Sequence, residues 1–175
     1  MNKLYPWKQA VITGIVVSIS AIVIFSIADG VNRHQHWNIN PITLRGLTGL
    51  LSIVILAIGI YTGMKSVKRN NGGKLTYGQA IFAGLIIGLI TGIISALVGF
   101  TYVHFINPGY AAYMISESRK IMLADGKGPA QIAAGTADLQ KQMTTGMQAL
   151  QALIGQTVSG TILSLIIGVF VKSKK

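Results

Sequence analysis

Four long, uncharged apolar stretches dominate the chain, and all of its charged residues lie between them or at the two ends. They lie at about residues 10–27, 46–64, 79–105 and 152–171. A helix rises 1.5 Å per residue, so the shortest stretch reaches about 27 Å, close to the hydrocarbon thickness of a bilayer. The pattern predicts an all-α fold, a four-helix transmembrane bundle that forms a single integral membrane domain over residues 1–175.

The first apolar stretch has two interpretations. Lys3 and Lys8 precede it, and Ser26-Ile27-Ala28 provides small residues at the spacing of a signal-peptide cleavage site. Its apolar core is longer than the usual signal-peptide core of about 7–15 residues. A retained signal anchor is therefore favoured over a cleaved signal peptide.

A polar segment, residues 107–151, separates the third and fourth stretches. Asn107-Pro108-Gly109 is a helix stop, a short helix is predicted over residues 110–124, and Pro129 suits the first turn of the next helix. Apolar residues then recur at three-to-four spacing and predict a helix leading into the fourth stretch: Ile132, Leu139, Met143, Met147, Leu150 and Ile154. We expect an extracytoplasmic helical hairpin over the bundle mouth or in the headgroup layer, with a free amphipathic partner-binding helix as the alternative.

Composition and charge indicate the environment and the orientation. The chain is 51% hydrophobic and only 11% charged, too apolar for an ordinary soluble domain. Nine basic residues and no acidic residue flank one side of the stretches: Lys3, Lys8, Lys65, Lys68, Arg69, Lys74, Lys172, Lys174 and Lys175. The other side carries six basic residues and all four acidic ones. The positive-inside rule therefore predicts a bacterial inner-membrane protein with both termini in the cytoplasm.

Small residues recur at helical spacing within the stretches and predict close helix packing. They are Gly84, Gly88 and Gly92 on the third span, Gly59 and Gly63 on the second, and Gly160 and Gly168 on the fourth. Helices in lipid associate through such residues because their backbones can approach closely. Packing within one bundle is favoured, and a homo-oligomer seam on the third span is the alternative.

Two groups of side chains are candidates for binding. His34, His36 and His104 are predicted on one side of the membrane and could hold a metal, with Asp29 as an oxygen ligand. Two loop histidines and one distant partner are a weak signal, so exposed imidazoles are the favoured interpretation. The cluster Lys65, Lys68, Arg69 and Lys74 could bind anionic lipid headgroups, although membrane topology explains it equally well.

Several functions are disfavoured by the pattern. Spans without charge argue against a pump or a coupled transporter. A passive pore of several copies could be lined by hydroxyl and amide side chains: Ser52, Thr62, Thr91, Ser95, Gln156, Thr157 and Ser159. Paired carboxylates, a Ser-His pair and a phosphate loop are lacking, so we expect neither an enzyme nor a cofactor. The net charge of +11 flanks apolar runs, so nucleic acid is not an expected partner.

Three motifs carry a resemblance to a known family: Gly63-Met64-Lys65-Ser66, GGKLTYGQA at residues 72–80 and YVHFINP at residues 102–108. With the order of elements along almost the whole chain, they resemble four-span membrane proteins of unknown function found mostly in Bacteroidota, the domain of unknown function 4199 family. The resemblance implies an inner-membrane location and no established activity. The outer segment departs from it in being poor in acidic residues.

The sequence thus favours a non-enzymatic scaffold or accessory subunit that contacts the lipid bilayer and a membrane protein partner or a second copy of itself. An oligomeric channel or a transport accessory protein is the alternative.

Overall fold

The computed structural model describes residues 5–35 and 41–173, and the side chains of residues 5–27 and 43–173. The described residues form helices and turns and contain no strand. The helices are α1 (Trp7–Gln35), α2 (Pro41–Asn70), α3 (Tyr77–Thr101), α4 (Tyr110–Ala124), α5 (Pro129–Gln142) and α6 (Thr145–Val171). A π-helical turn, Tyr102–Ile106, continues α3. The all-helical fold expected from the sequence is confirmed.

Four helices are long and apolar enough to cross a membrane, and each contains one of the apolar stretches. These candidate spans are Trp7–Ile27, Thr43–Asn70, Tyr77–Ile106 and Thr145–Val171. Only 22% to 33% of the most apolar window of each is buried inside the bundle. Soluble monomers rarely expose contiguous apolar surface of this extent, so the bundle has the surface of a protein that is solvated by lipid.

The end of the bundle that carries Tyr5, the α2–α3 turn and Val171 is called the terminal end. Gly72 and Gly73 make that turn with φ angles of +61° and +81°, which side chains rarely adopt. The Thr76 side chain then caps α3 by accepting a hydrogen bond from the Gln79 backbone amide, and the Gln79 side-chain oxygen accepts one from the Thr76 backbone amide. Spans two and three therefore form an antiparallel hairpin.

The C-terminal end of helix α6 is hydrogen-bonded to the α2–α3 turn and to Lys68. The Ser173 amide donates to the Leu75 carbonyl at 2.9 Å, and the Leu75 amide donates to the Ser173 hydroxyl at 2.9 Å. The Lys68 ammonium donates to the Val171 carbonyl at 2.9 Å. A cation at the last carbonyls of a helix satisfies their hydrogen-bonding capacity and opposes the negative end of the helix dipole.

Helices α3 and α6 pack with their backbones almost in contact. A Cβ at Gly88 would lie 2.6 Å from the Gln156 carbonyl oxygen, and one at Gly92 would lie 2.9 Å from the Leu153 Cα. Gly84 lies against Ser164 and Gly160 in the same way. The small-residue stripe of the third span is therefore covered by α6 of the same chain.

Helices α1 and α2 complete the core in the terminal half. Gly59 on α2 lies directly against the Thr13 side chain, and Gly63 lies against Ile87 and Pro6. The buried apolar side chains of the core come from all four spans and the α2–α3 turn: Ala10, Leu56, Ile60, Met64, Val67, Leu75, Ala80, Ala83, Ile87 and Val171.

Helices α4 and α5 form a helical hairpin at the opposite end, called the hairpin end. Gly126 turns the chain with a φ of +71°, and a Cβ at Gly135 would lie 2.9 Å from the Met122 sulfur. The start of α4 is attached to the bundle by Tyr110, whose ring lies 5.8 Å from that of Phe25 and 5.9 Å from that of Tyr102. The short helix over residues 110–124 and the helix start at Pro129 agree with the sequence prediction.

The continuous helix expected from Pro129 into the fourth span is wrong. The helix is interrupted at Thr144, which has an extended ψ of 142° and is the N-cap residue of α6. Thr144, Thr145 and Gly146 are poor helix formers, and a threonine is favoured where a helix starts. The Gln148 side-chain nitrogen donates to the Met143 carbonyl at 2.8 Å and links the start of α6 to the end of α5.

The contact between α3 and α6 yields a stability prediction. Gly88→Ala should lower the free energy of unfolding by about 1–3 kcal/mol, because the new methyl group meets backbone atoms that cannot rotate away. Gly99→Ala is the matched control on the same helix, where an added Cβ meets nothing within 4 Å. It should leave stability within about 1 kcal/mol of the original. Reversible unfolding in mixed detergent micelles measures both, and equal effects would contradict the packing.

A second stability prediction concerns Thr91, which is fully buried beside Gly14. Its hydroxyl has no hydrogen-bond partner among the described residues. A buried polar group without a partner costs about 1–3 kcal/mol, so Thr91→Val should raise the free energy of unfolding by about 1 kcal/mol. Thr157→Val is the control, since the Thr157 hydroxyl donates to the Leu153 carbonyl at 2.7 Å. A less stable Thr91→Val protein would show that the hydroxyl is satisfied.

Candidate binding cavity

A partly open cavity of about 220 Å³ lies in the hairpin half of the bundle, and we call it the hairpin-end cavity. Helices α1, α2, α3, α4 and α6 and the π-helical turn all contribute to its wall. Its polar lining consists of Ser18, Ser52, Ser95, Tyr102, Tyr110, Gln148 and Gln156. Its apolar lining includes Val17, Ile22, Phe25, Val98 and Val103.

Small side chains and a change in helix geometry leave this space open. Ala21 and Gly99 line the cavity, and a Cβ at Gly99 would contact nothing within 4 Å. On the side of Gly99 nearer the terminal end, the glycines of α3 are covered by α6. On the side nearer the hairpin end, α3 passes into the π-helical turn. There the Asn107 amide donates to the Tyr102 carbonyl at 2.8 Å. A π turn is wider than an α turn and often occurs at functional sites.

Several polar groups in the cavity wall are bonded to the protein itself. The Ser18 and Ser95 hydroxyl oxygens are 3.3 Å apart and join α1 to α3. The Ser52 hydroxyl donates to the Thr48 carbonyl at 2.8 Å. These groups fix the wall and leave lone pairs that can still accept hydrogen bonds.

Two polar side chains of the wall have unused hydrogen-bonding groups. Within the described part of the chain, neither the Gln156 side-chain amide nor the Tyr110 hydroxyl has a hydrogen-bond partner. The amide alone offers two donors and one acceptor oxygen. Polar groups at membrane depth normally face a partner or a water-filled space, so both groups are available to a molecule in the cavity.

The cavity has no formal charge in its wall. None of its lining residues, all in the described part of the chain, is Asp, Glu, Lys, Arg or His. Burial raises the pKa of the Tyr110 phenol above its ordinary value of 10.0, and the nearby Arg45 charge opposes this only in part. The Tyr110 hydroxyl is therefore neutral and can donate a hydrogen bond throughout the physiological pH range.

The structure places three of the seven sequence-selected hydroxyl and amide residues at the cavity: Ser52, Ser95 and Gln156. Thr62 is exposed on α2 and bonds to carbonyls of its own helix, as Thr157 does on α6. The seven side chains therefore do not form one continuous row.

Sequence reasoning missed Ser18, Tyr102, Tyr110 and Gln148. The signal available for them was weak, because Gln148 and Gln156 are just over two helical turns apart and tyrosines near the ends of spans commonly lie at the membrane interface.

The histidine hypothesis falls largely outside the described residues. His36 lies outside them, as do the side chains of His34 and Asp29. His104 is exposed and stacks on Phe100, with ring centroids 4.5 Å apart and planes at 14°. The described residues contain no group of three metal-ligating side chains, and the metal site stays a prediction.

The basic cluster at the terminal end is divided between two roles. Lys68 is bonded to the end of α6, as described above. Lys65, Arg69 and Lys74 are exposed, and the Lys65 ammonium lies 5.0 Å from the centre of the Tyr61 ring. These three residues are positioned for lipid headgroups, and headgroup binding stays a prediction.

The packing glycines all lie at helix contacts. Gly160 meets the Gly88 and Gly84 backbone, and a Cβ at Gly168 would lie 3.1 Å from the Ala80 Cβ.

Fold and cavity together define an all-helical bundle with four apolar candidate spans, which is the architecture of a membrane protein. The chain belongs to a family described as "Protein of unknown function (DUF4199)", whose model matches residues 8–173. This confirms the family expected from the sequence motifs. Comparison with curated proteins and with solved structures found no match.

The raised pKa of Tyr110 predicts alkaline sensitivity. Folding favours the neutral phenol, so its stabilising contribution is complete below pH 10.0 and is lost as the pH rises through the higher folded pKa. When the pH is raised from neutral to values above 10.0, the free energy of unfolding should therefore fall less for Tyr110→Phe than for the original protein. Tyr113→Phe, on the exposed side of the same helix, controls for the loss of a phenol. Thermal unfolding across this pH range measures the difference, and identical profiles would contradict the prediction.

Proposed function

We propose that the protein is a non-enzymatic integral membrane scaffold or accessory subunit of the bacterial inner membrane, with both termini in the cytoplasm. The observation that supports this proposal is the closed packing of the terminal half of the bundle. Leu56, Ile60, Met64 and Ile87 are completely buried there. Among the described residues, these side chains fill the core between the hairpin-end cavity and the terminal end.

The charge distribution supports the orientation. The exposed lysines and arginine of the α2–α3 turn lie at the same end as Val171, whereas Glu117, Asp125 and Asp138 belong to the hairpin. Basic residues close to span ends are retained in the cytoplasm during insertion. In this orientation the α4–α5 hairpin is extracytoplasmic.

The hairpin is the surface best suited to a protein partner. It contacts the rest of the bundle sparingly, and between its helices lies an open space of about 460 Å³ lined by Arg119, Leu123, Ile132, Thr136 and Gln140, among others. Exposed apolar residues such as Leu123 beside polar ones are typical of protein-binding surfaces.

A flux assay separates the scaffold from the alternative oligomeric channel. Purified protein in liposomes should release no more trapped ions or small solutes than empty liposomes do, at every protein-to-lipid ratio, because the terminal half is closed. A channel-forming peptide provides the positive control. Flux that rises steeply with protein density would contradict the scaffold and support a pore formed between copies.

A crosslinking experiment tests the hairpin as the partner surface. A photoreactive amino acid at the exposed Leu123 should capture a protein partner in native membranes, whereas the same probe at Ile58, exposed on the apolar side of α2, should capture mainly lipid. If the probe at Ile58 captures a protein and the probe at Leu123 does not, the partner surface lies on the spans instead. Reporter fusions at the two termini test the orientation, and periplasmic signals would contradict it.

A further inference from the structure

We propose that the hairpin-end cavity is a binding site for a neutral, single-chain lipid with a hydroxyl-bearing head, of the monoacylglycerol class. The proposal requires that the bundle be embedded in a membrane, but it does not require that the hairpin bind a protein. It follows from the size of the cavity, its hydrogen-bonding groups, its lack of charge and its apolar continuation.

The volume fits a small polar head together with the first part of a chain. The cavity of about 220 Å³ is large enough to hold several water molecules. A glycerol-sized head with its first methylene groups falls within that volume, whereas a complete lipid does not. The remainder of the chain must leave the cavity.

The route for the chain is apolar and continues beyond the cavity. Val17, Ile22 and Phe25 of α1 form one wall. A second, adjoining space of about 160 Å³ shares Ser95, Gly99, Val103 and Gln148 with the cavity and extends along α3 and α6 to Phe100 and Ala152. An acyl chain in this continuation replaces contacts with lipid tails at little cost.

The unused hydrogen-bonding groups match an uncharged hydroxyl head. The Gln156 amide can donate to one head oxygen while its carbonyl accepts from a head hydroxyl, and the Tyr110 phenol can donate to a further oxygen. A hydroxyl is both a donor and an acceptor, so a glycerol head satisfies all of these groups. A purely apolar occupant would leave the Gln156 amide unpaired, which is costly at membrane depth.

The uncharged wall selects against ionised heads. A phosphate or carboxylate in this cavity would lose part of its hydration without a cation among the lining residues, and neutral donors do not make up that loss. Arg45 lies outside the lining, and its charge offsets the effect of burial at Tyr110 only in part. Phospholipids and ionised fatty acids should therefore bind the polar part of the site more weakly than a monoacylglycerol does.

The test uses a photoactivatable monoacylglycerol with a diazirine in its chain, added to the full-length protein in nanodiscs of phosphatidylethanolamine and phosphatidylglycerol. We expect saturable labelling that unlabelled monoacylglycerol competes away, with crosslinks on α3 near Gly99 and on α6 near Ala152. Fatty-acid and phosphatidylglycerol probes with the same diazirine chain should label these peptides at least about fivefold less.

Variants identify the site. Gln156→Leu should lower the apparent affinity for the monoacylglycerol probe about fivefold, the effect of losing one or two hydrogen bonds. Gln151→Leu is the matched control, because Gln151 is on the same helix, is exposed and does not line the cavity. Ala21→Leu fills the cavity without removing a hydrogen bond and should also abolish saturable labelling. Monodisperse elution and an unchanged unfolding temperature establish that each variant is folded.

Three results would overturn the proposal. The first is labelling that does not saturate. The second is labelling of the folded Gln156→Leu and Ala21→Leu proteins that equals that of the original protein. The third is labelling of the same peptides by the fatty-acid or phosphatidylglycerol probe with equal affinity, which would show that the site does not select a neutral head. None of these results bears on the flux assay, so the scaffold proposal stands or falls separately.

Discussion

The near contact between the backbones of α3 and α6 is the constraint on which the rest of the bundle depends. Lipid offers no hydrophobic force that drives helices together, so close packing must hold them. Gly84, Gly88 and Gly92 remove the side chains that would keep the two helices apart. Once this pair is fixed, α1 and α2 fill the remaining sides of the terminal half. The hairpin half, where α3 leaves the contact, keeps an unfilled space.

Much of the fold could be predicted from the sequence because lipid imposes a simple rule. Every backbone polar group at membrane depth must be paired within the segment, so a long uncharged apolar stretch is a helix. Turns are recognisable in the sequence for a similarly local reason, because glycine suits the positive φ angles found at Gly72, Gly73 and Gly126. The break at Thr144 was missed because an apolar stripe continues across it. The spacing of apolar residues shows which face of a helix is buried, but it does not show where the chain changes direction.

The cavity was only partly predictable. Ser52, Ser95 and Gln156 were recognised as polar residues within apolar stretches, but whether such residues join helices or line a space depends on the distance between helices. Tyr102 and Tyr110 reach the cavity through the π-helical turn and the start of α4, and neither feature leaves a periodic signal. Lys68 shows the same limit, since its sequence context suggests a headgroup ligand while its ammonium is bonded to the Val171 carbonyl.

The attachment of Ser173 to the α2–α3 turn has a consequence for the order of assembly during synthesis. The ribosome makes α6 after α1 to α5, so the Leu75 backbone groups and the glycine face of α3 lack their partners while the first five helices already exist. The nascent bundle is therefore incomplete until α6 and Ser173 have been synthesised. A translational arrest before that point would leave a chain whose spans are inserted but whose central contact has not formed.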